Sequence, residues 1–145
     1  MANNEVIHDS PSDWVAEHIQ NYVESDGQEG HEWNGATTLL LTTRGRKSGK
    51  LRRTALIYGR DGDDYIIVAS RGGAPNHPSW YLNLVENPEV EIQVGAEKLT
   101  ATARTATPEE KAHLWPIMTE IWPAYDDYQE KTDRIIPVVI LEPQS

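Results

Sequence analysis

Hydrophobic and polar residues alternate along several stretches of the chain, which is the pattern of β-strands with one buried face. The alternation is clearest at residues 89–95, where Val90 and Ile92 lie on either side of Glu91. The predicted strands cover residues 37–43, 52–60, 64–70, 89–95, 98–106 and 135–143. The Asp-Gly pair at 61–62 predicts a hairpin between the second and third strands.

A spacing of three to four residues between apolar side chains marks the first predicted helix, at residues 13–25. Two stripes share this spacing: Trp14, His18 and Tyr22, and Val15, Ile19 and Val23. Ser12 precedes the helix and is suited to cap it. Residues 27–35 then predict a loop.

Two later helices are predicted from their ends as well as their spacing. Residues 78–86 predict a short helix with Asn76 or His77 near its N-cap and a stop at residues 87–88. Thr107 and Glu110 have the spacing of a capping box around Pro108, which predicts the start of the next helix.

The helix that starts at the capping box is predicted to break near Trp122 and Pro123, because proline removes a backbone donor. Its inward side chains are predicted to be Leu114, Ile117 and Met118. Residues 124–134 predict a second short helix or a turn.

Strands that are joined mainly by hairpins predict an antiparallel sheet that closes as a barrel, with helices around its outside. The fold class is therefore predicted as α+β. At 145 residues the chain has the length of one domain, with residues 1–30 as its N-terminal helix and loop.

Composition adds a strong charge imbalance and an unusual choice of aromatic residues. The formal net charge is −10, and the chain has five Trp and six Tyr but no Phe. Because Trp and Tyr rings carry a polar tip, they either pack in the core or line a wet, ligand-binding cavity, and both interpretations stay open.

Several function classes are excluded or disfavoured by the same composition. The absence of Cys excludes disulfides, thiol nucleophiles and thiolate metal sites, and the five His residues do not cluster, so no metal site is predicted. No signal peptide and no apolar stretch of about 18 residues is visible. We therefore expect a cytoplasmic protein.

A compact basic segment stands out against this acidic chain. We call residues 44–53 the basic island, since the segment holds six of the thirteen Lys and Arg residues. Gly45, Ser48 and Gly49 predict a turn within it. On charge alone the island is either a solvated hairpin or a binding site for an anion.

A second segment has the features of an anion site. Residues 69–80, here called the glycine loop, follow a predicted strand and lead into a predicted helix. A Gly-Gly pair allows backbone N–H groups to approach a ligand, and a helix start carries free N–H groups. Arg71 adds a full positive charge. The segment matches neither the P-loop nor the dinucleotide-binding motif.

Two cationic segments favour a ligand with more than one negative group, because arginine binds phosphate and carboxylate with paired hydrogen bonds. Nucleic acid is disfavoured by the net charge of −10 and by the lack of a recognised binding motif. A small multivalent anion fits better.

Three segments resemble the deazaflavin-dependent nitroreductase family, which uses coenzyme F-420, an 8-hydroxy-5-deazaflavin. They read "LLLTTRGRKSGKLRRTALIY", "VASRGGAPNHPSWYLNLVENPEVEIQVG" and "WPAYDDYQEKTDRIIPVVILEP". The resemblance covers residues 37–143. It implies a split β-barrel related to the pyridoxamine-phosphate-oxidase-like and FMN-binding folds, in agreement with the strand pattern.

The resemblance also implies where F-420 would bind. The basic island would meet the phosphate and polyglutamate tail, and the glycine loop would meet the phosphate and the ring. The implied cofactor-binding residues are Arg46, Lys47, Ser48, Arg52, Ala55, Ala69, Ser70, Arg71, Gly72, Gly73, Ser79 and Trp80. Ala55 and Ser79 depart from the family, since some members have Pro and Met there.

The implied reaction is hydride transfer from reduced F-420 to a quinone-like or nitroaromatic acceptor. Tyr125 and Tyr128 are candidate proton donors, unless one of them only packs, and Ser70 is a candidate hydrogen-bond donor to the acceptor or the ring. Trp122 stands where nitroimidazole-activating members often have a third tyrosine, which implies a reshaped substrate pocket.

Two alternatives use the same basic segments: a non-catalytic F-420 carrier, and an FMN- or haem-binding protein of the same barrel fold. For partners we expect F-420 and a small hydrophobic acceptor, no nucleic acid, and a monomer or weak dimer. The first helix would either cover the pocket or make weak peripheral contact with a membrane, and Glu17 and Glu24 oppose tight docking.

Overall fold

The computed structural model describes residues 7–9, 13–33, 36–73 and 75–144. Within these residues the strands are β1 (Ile7–Asp9), β2 (Glu32–Trp33), β3 (Ala36–Arg44), β4 (Leu51–Ile57), β5 (Gly59–Asp61), β6 (Asp64–Val68), β7 (Glu89–Val94), β8 (Glu97–Thr105) and β9 (Val138–Pro143). The helices are α1 (Asp13–Glu24), α2 (Ser79–Glu86), α3 (Pro108–Ile121) and α4 (Ala124–Glu130), and Arg71–Gly73 forms a turn of 3-10 helix.

The strands form one sheet in the order β1-β4-β3-β7-β8-β9-β6-β5, with β2 paired to β3. Every described pairing is antiparallel except that of β1 with β4. The predicted α+β class, with an antiparallel sheet and peripheral helices, is confirmed.

The sheet curls into a split barrel because β4 and β5 are consecutive in the chain but lie near opposite ends of the strand order. The sequence pattern predicts a continuous strand over 52–60, but the chain bends at Tyr58, between β4 and β5. β4 pairs with β3, whereas β5 pairs with β6. In the described structure no hydrogen-bonded ladder joins β4 to β6, so the barrel is open between these two strands.

Three apolar clusters hold the barrel and its helices together. The interior contains side chains from most strands, among them Leu39, Ile67 and Leu141. On the outside, α3 and α4 pack on β6 and β9, with Leu114 and Met118 buried as predicted and Ile117 partly buried. α1 packs through Ile19 and Tyr22 on Leu40 of β3.

α3 approaches β5 so closely that a side chain at Gly59 would displace Met118. A Cβ atom there would lie 2.6 Å from the sulfur of Met118. The predicted start and end of α3 are confirmed, with the complete Thr107–Glu110 capping box and a break at Trp122.

Several details differ from the predictions. The N-cap of α2 is Pro78, not Asn76 or His77, because Pro78 has the extended backbone of a cap and the ring nitrogen of His77 is bonded to Arg134 instead. β1 and β2 are additional: they are too short to show a periodicity. Ser12, the predicted cap of α1, lies outside the described residues.

Among the described helices, none combines the length and the apolar character needed to cross a membrane. Ile19 and Tyr22 of the first helix are fully buried against the sheet, so these two side chains do not contact a bilayer. The side chains of Trp14 and Val15 lie outside the described part of the structure.

Candidate functional site

The opening of the barrel between β4 and β6 holds a cavity of about 300 Å³, here called the site cavity. Its walls come from α1, β3, β4, β6, the glycine loop, α2, α4 and Trp122, the residue that follows α3. The lining residues are His18, Thr38, Ala55, Leu56, Ile57, Val68, Ser70, Arg71, Pro78, Trp80, Trp122, Tyr125 and Tyr128. Most of the described wall is apolar or aromatic, and Arg71 is the one Lys or Arg among its described residues.

The rings at the α3–α4 junction form one wall of the cavity. Pro123 ends the preceding helix, and α4 then brings Tyr125 and Tyr128 to the cavity from adjacent positions on its face. Their ring centroids are 6.1 Å apart in an edge-on arrangement. The indole N–H of Trp122 donates to the Tyr128 hydroxyl at 3.5 Å, so the Tyr128 proton is free to point elsewhere.

Burial controls the chemistry of Tyr125. Its side chain is only 5% exposed, and burial, followed by the nearby Tyr128, raises the pKa of its phenol above the ordinary value of 10.0. The phenol therefore keeps its proton at any physiological pH. It is suited to donate a hydrogen bond to an oxygen on which negative charge develops.

The glycine loop passes under α4 in a tight conformation. Arg71 and Gly73 both have positive φ angles, and the Gly73 N–H donates to the Ser70 carbonyl at 2.9 Å. A Cβ atom on Gly73 would lie 2.7 Å from the Tyr128 carbonyl oxygen. Gly73 is therefore required for the packing of this loop against α4, in addition to any role near a ligand.

Arg134 holds the glycine loop in place through three hydrogen bonds. Its guanidinium donates to the carbonyl oxygens of Ser70 at 2.6 Å and Ala69 at 3.1 Å, and to Nδ1 of His77 at 3.0 Å. In the structure Arg134 braces the glycine loop, and this holds Ser70 at the cavity wall.

The basic island lies against the start of α2, beside the cavity. The backbone N–H and the guanidinium of Arg46 both donate to the Asn83 side-chain oxygen, at 3.1 and 2.9 Å. The guanidinium also reaches the Ser79 carbonyl at 3.5 Å. Lys47, whose side chain is exposed, extends from the same turn. The two predicted cationic segments are thus neighbours.

The structure brings some of the predicted site residues into one cavity and leaves others outside it. Those that line the site cavity are Ala55, Ser70, Arg71, Trp80, Tyr125 and Tyr128. Those that do not line it are Arg46, Lys47, Ser48, Arg52, Ala69, Gly73 and Ser79, while the surroundings of Gly72 lie outside the described part of the structure. Ala69 is fully buried and holds the loop through its backbone, while Arg46, Lys47, Ser48 and Arg52 belong to the island.

Sequence reasoning did not place several lining residues. His18 and Thr38 line the cavity together, with 3.5 Å between His18 Nε2 and Thr38 Oγ1. His18 belongs to the predicted stripe on α1, but the stripe does not show what the helix covers. Leu56 and Ile57 follow Ala55 in β4 and line the cavity where β4 borders the opening.

Comparison with known proteins identifies the family. The family model of the F420H(2)-dependent quinone reductases, in which F420H(2) denotes reduced F-420, matches residues 14–143. A Mycobacterium tuberculosis F420H(2)-dependent quinone reductase is 46% identical over 128 residues, which are 86% of each chain. The chain belongs to this family.

Solved structures agree with this assignment. An F-420-dependent reductase, 47% identical, superposes with a TM-score of 0.67 over 72% of this chain and 93% of that one. A relative described as a domain-swapped dimer is 43% identical, with a TM-score of 0.70 over 92% of this chain and 100% of that one.

A more distant structure shows the fold alone. A candidate pyridoxamine 5′-phosphate oxidase from Listeria innocua has a TM-score of 0.52 at 12% identity, over 74% of this chain and 84% of that one. The predicted split barrel is confirmed. Family membership also confirms the predicted class of enzyme, an F-420-dependent reductase, and F-420 as its cofactor.

Proposed function

We propose that the site cavity receives the deazaflavin ring of F-420 and a quinone acceptor, while the basic island binds the acidic tail. The observation that carries this proposal is the contact of Arg46 with Ser79 and Asn83, because it places the island at the edge of an aromatic cavity. A flat ring fits among Trp80, Tyr125 and neighbouring apolar side chains.

The volume of the site cavity and the charge of the basic island support placing the ring in the cavity and the acidic tail on the island. A cavity of about 300 Å³ is at the small end of ligand pockets, about 300–1,000 Å³, so it suits a ring system rather than the whole cofactor. The phosphate and glutamate groups would stay at the surface, where Lys47 and Arg52 are exposed. The N–H groups around Arg71 and its guanidinium would bind the phosphate.

When bound in its reduced form, F-420 supplies a hydride; the chain's residues supply orientation and a proton. Reducing a quinone by hydride leaves negative charge on one oxygen, which must take up one proton. Tyr125 is the proposed donor because it lines the cavity and its phenol is protonated at physiological pH. Its raised pKa makes it a weaker acid than an ordinary tyrosine, so it would release its proton only as strong negative charge develops on the acceptor oxygen. The Tyr128 hydroxyl and the Ser70 hydroxyl would donate hydrogen bonds to the acceptor or the ring.

The acceptor is proposed to be a quinone because its two carbonyl oxygens need donors within an apolar enclosure. A nitroaromatic compound presents similar oxygens and is the second candidate acceptor. Trp122, held by its bond to Tyr128, narrows the space available beside α4. We therefore propose that quinones react faster than bulky nitroimidazoles.

The test is a turnover assay with the protein and reduced F-420, in which menadione and a nitroimidazole are compared as acceptors. Oxidation of the cofactor is followed by its absorbance. We expect oxidation with menadione at a rate that depends on enzyme concentration. If tightly bound reduced cofactor persists with every acceptor, the chain is a carrier, and the proposed quinone reduction is wrong.

The proposed state in solution is a monomer or weak dimer, although one relative is described as a domain-swapped dimer. Light scattering across a concentration series tests this. Weak contact with membranes stays a proposal, and co-sedimentation with vesicles tests it.

A further inference from the structure

A second concave surface lies behind the glycine loop, and we call it the side cleft. Its volume is about 700 Å³, larger than that of the site cavity. The lining residues are His77, Tyr81, Thr105, Ala106, Pro108, Lys111, Ala112, Trp115, Pro116, Gln129, Ile135, Ile136, Pro137 and Val138. The two spaces share no lining residue: Pro78 faces the site cavity, while its neighbour His77 faces the side cleft.

The charge of the side cleft is opposite to that of the protein. Among the described residues no Asp or Glu lines the cleft, and Lys111 is the one Lys or Arg that does. Asp126 approaches from outside and accepts the Trp115 indole N–H at 2.7 Å. The described wall therefore contains no carboxylate of its own, and Asp126 is the acidic residue that contacts it through Trp115.

Lys111 lacks a counter-ion in the described part of the chain. Its ammonium donates to the Ile136 carbonyl at 2.7 Å and lies 5.0 Å from the centroid of the Trp115 ring. An ammonium has three donors, so two remain for a ligand. Partial burial lowers the pKa of Lys111, which shows that its charge is incompletely solvated.

The side cleft also contains the rings of His77 and Tyr81, and His77 provides a second hydrogen-bond donor. The His77 and Tyr81 rings are 4.9 Å apart. Because Arg134 can only donate, Nδ1 of His77 must accept, and the imidazole is neutral with its proton on Nε2. Burial and the Arg134 charge both lower the pKa of His77, in agreement with the neutral form.

We propose that the side cleft is a second ligand site, separate from the site cavity, that binds a flat apolar organic anion of the aromatic carboxylate class. The carboxylate would pair with the Lys111 ammonium, and the ring would pack on Trp115 and Tyr81. The proposal does not depend on the proposed reaction.

Calorimetric titration of the full chain with 2-naphthoate tests the proposal, with neutral 2-naphthalenemethanol as the matched probe. We expect one naphthoate site, whether or not the protein is saturated with F-420, and at least about tenfold weaker binding of the alcohol, because it loses a charge-assisted hydrogen bond. Lys111→Met should weaken naphthoate binding about tenfold or more, and Lys111→Arg should retain it.

Lys131→Met is the control, because Lys131 is exposed on the neighbouring helix end and does not line the cleft. A thermal melt of each variant establishes that it is folded. If Lys111→Met does not fold, the comparison of naphthoate with the alcohol on the wild-type protein tests the proposal instead. Three results would each overturn the proposal: no heat with millimolar naphthoate, equal affinity for the two probes, or displacement of naphthoate by F-420.

Discussion

The site cavity and the basic island lie side by side but bind by different physical means. The cavity is lined mainly by rings and aliphatic side chains, and three of its polar residues, Thr38, Ser70 and Tyr125, are buried. In the island Lys47, Ser48, Lys50 and Arg52 are exposed to water, whereas Arg46 is bonded to α2. Salt screens exposed charges strongly, whereas it screens buried contacts much less. The cavity should therefore control orientation and reaction, and the island should control affinity.

The largest effect is expected in the cavity, from Tyr125→Phe. Removing a general acid lowers turnover by roughly 10²-fold or more, whereas the phenyl ring preserves the packing and should leave F-420 affinity nearly unchanged. Steady-state kinetics with menadione and a binding titration measure the two quantities. Tyr81→Phe is the control, since its hydroxyl bonds Thr105 outside the cavity. Equal losses of turnover and affinity would make Tyr125 a packing residue.

The second-largest effect is expected in the glycine loop, from Arg134→Lys. Arg134→Lys cannot replace the forked contacts to Ser70 and Ala69, and each unpaired carbonyl costs about 1–3 kcal/mol. We expect KM for reduced F-420 to rise about tenfold, with a smaller fall in kcat.

Arg60→Lys is the matched control for Arg134→Lys, because Arg60 also donates to backbone carbonyls, including that of Asp64, in a turn away from the cavity. If both variants lose thermal stability but neither changes KM, Arg134 does not position the loop for the cofactor.

A smaller effect is expected in the island. The double variant Lys47→Ala/Arg52→Ala removes two exposed charges worth about 0.2–1 kcal/mol each, so F-420 affinity should fall about fivefold at low salt. The difference should vanish near 1 M salt, where the Debye length is about 3 Å. Lys98→Ala is the control. A loss that is independent of salt would place these side chains in enclosed contacts instead.

The smallest effect concerns α3, which supports the cavity from outside. Arg104 pairs with both oxygens of Glu110 at 2.7 and 2.8 Å, and this lowers the pKa of the Glu110 carboxyl from 4.5 to about 2. A lowered pKa gives stability that is present above pH 4.5 and is lost as the pH falls to about 2. Glu110→Gln should therefore lower Tm slightly at neutral pH, with no difference near pH 2.

Glu109→Gln is the matched control, because Glu109 is exposed in the same helical turn. Neither change should alter F-420 binding. This result would show that Glu110 stabilises α3 and does not take part in binding the cofactor. A Tm difference that persists at pH 2 would show that the ion pair is not its cause.

Local patterns predicted most of the fold because strand alternation and helix capping act over a few residues. The capping box at Thr107 is one example: both of its hydrogen bonds lie within a single turn. The bend at Tyr58 was missed because the pattern of β4 and β5 is continuous. The break arises from the two different strands that they pair with.

The site was predicted least well where contacts connect distant parts of the chain. The resemblance to a known family supplied Ser70, Trp80 and the two tyrosines, and the structure places them around one cavity. The clamp by Arg134 spans 64 residues to Ser70, so no local pattern could show it. The place of His18 at the cavity wall likewise depends on how α1 packs on the barrel.

The division between enclosed ring and exposed tail is tested most directly by comparing F-420 with its chromophore lacking the phosphate and glutamates. Equilibrium titrations of both ligands are made at low and high salt with wild type and Lys47→Ala/Arg52→Ala. We predict that salt and the double variant weaken F-420 alone, while the bare chromophore binds more weakly and is unaffected by either. Equal affinity of the two ligands at low salt would contradict a binding role for the basic island.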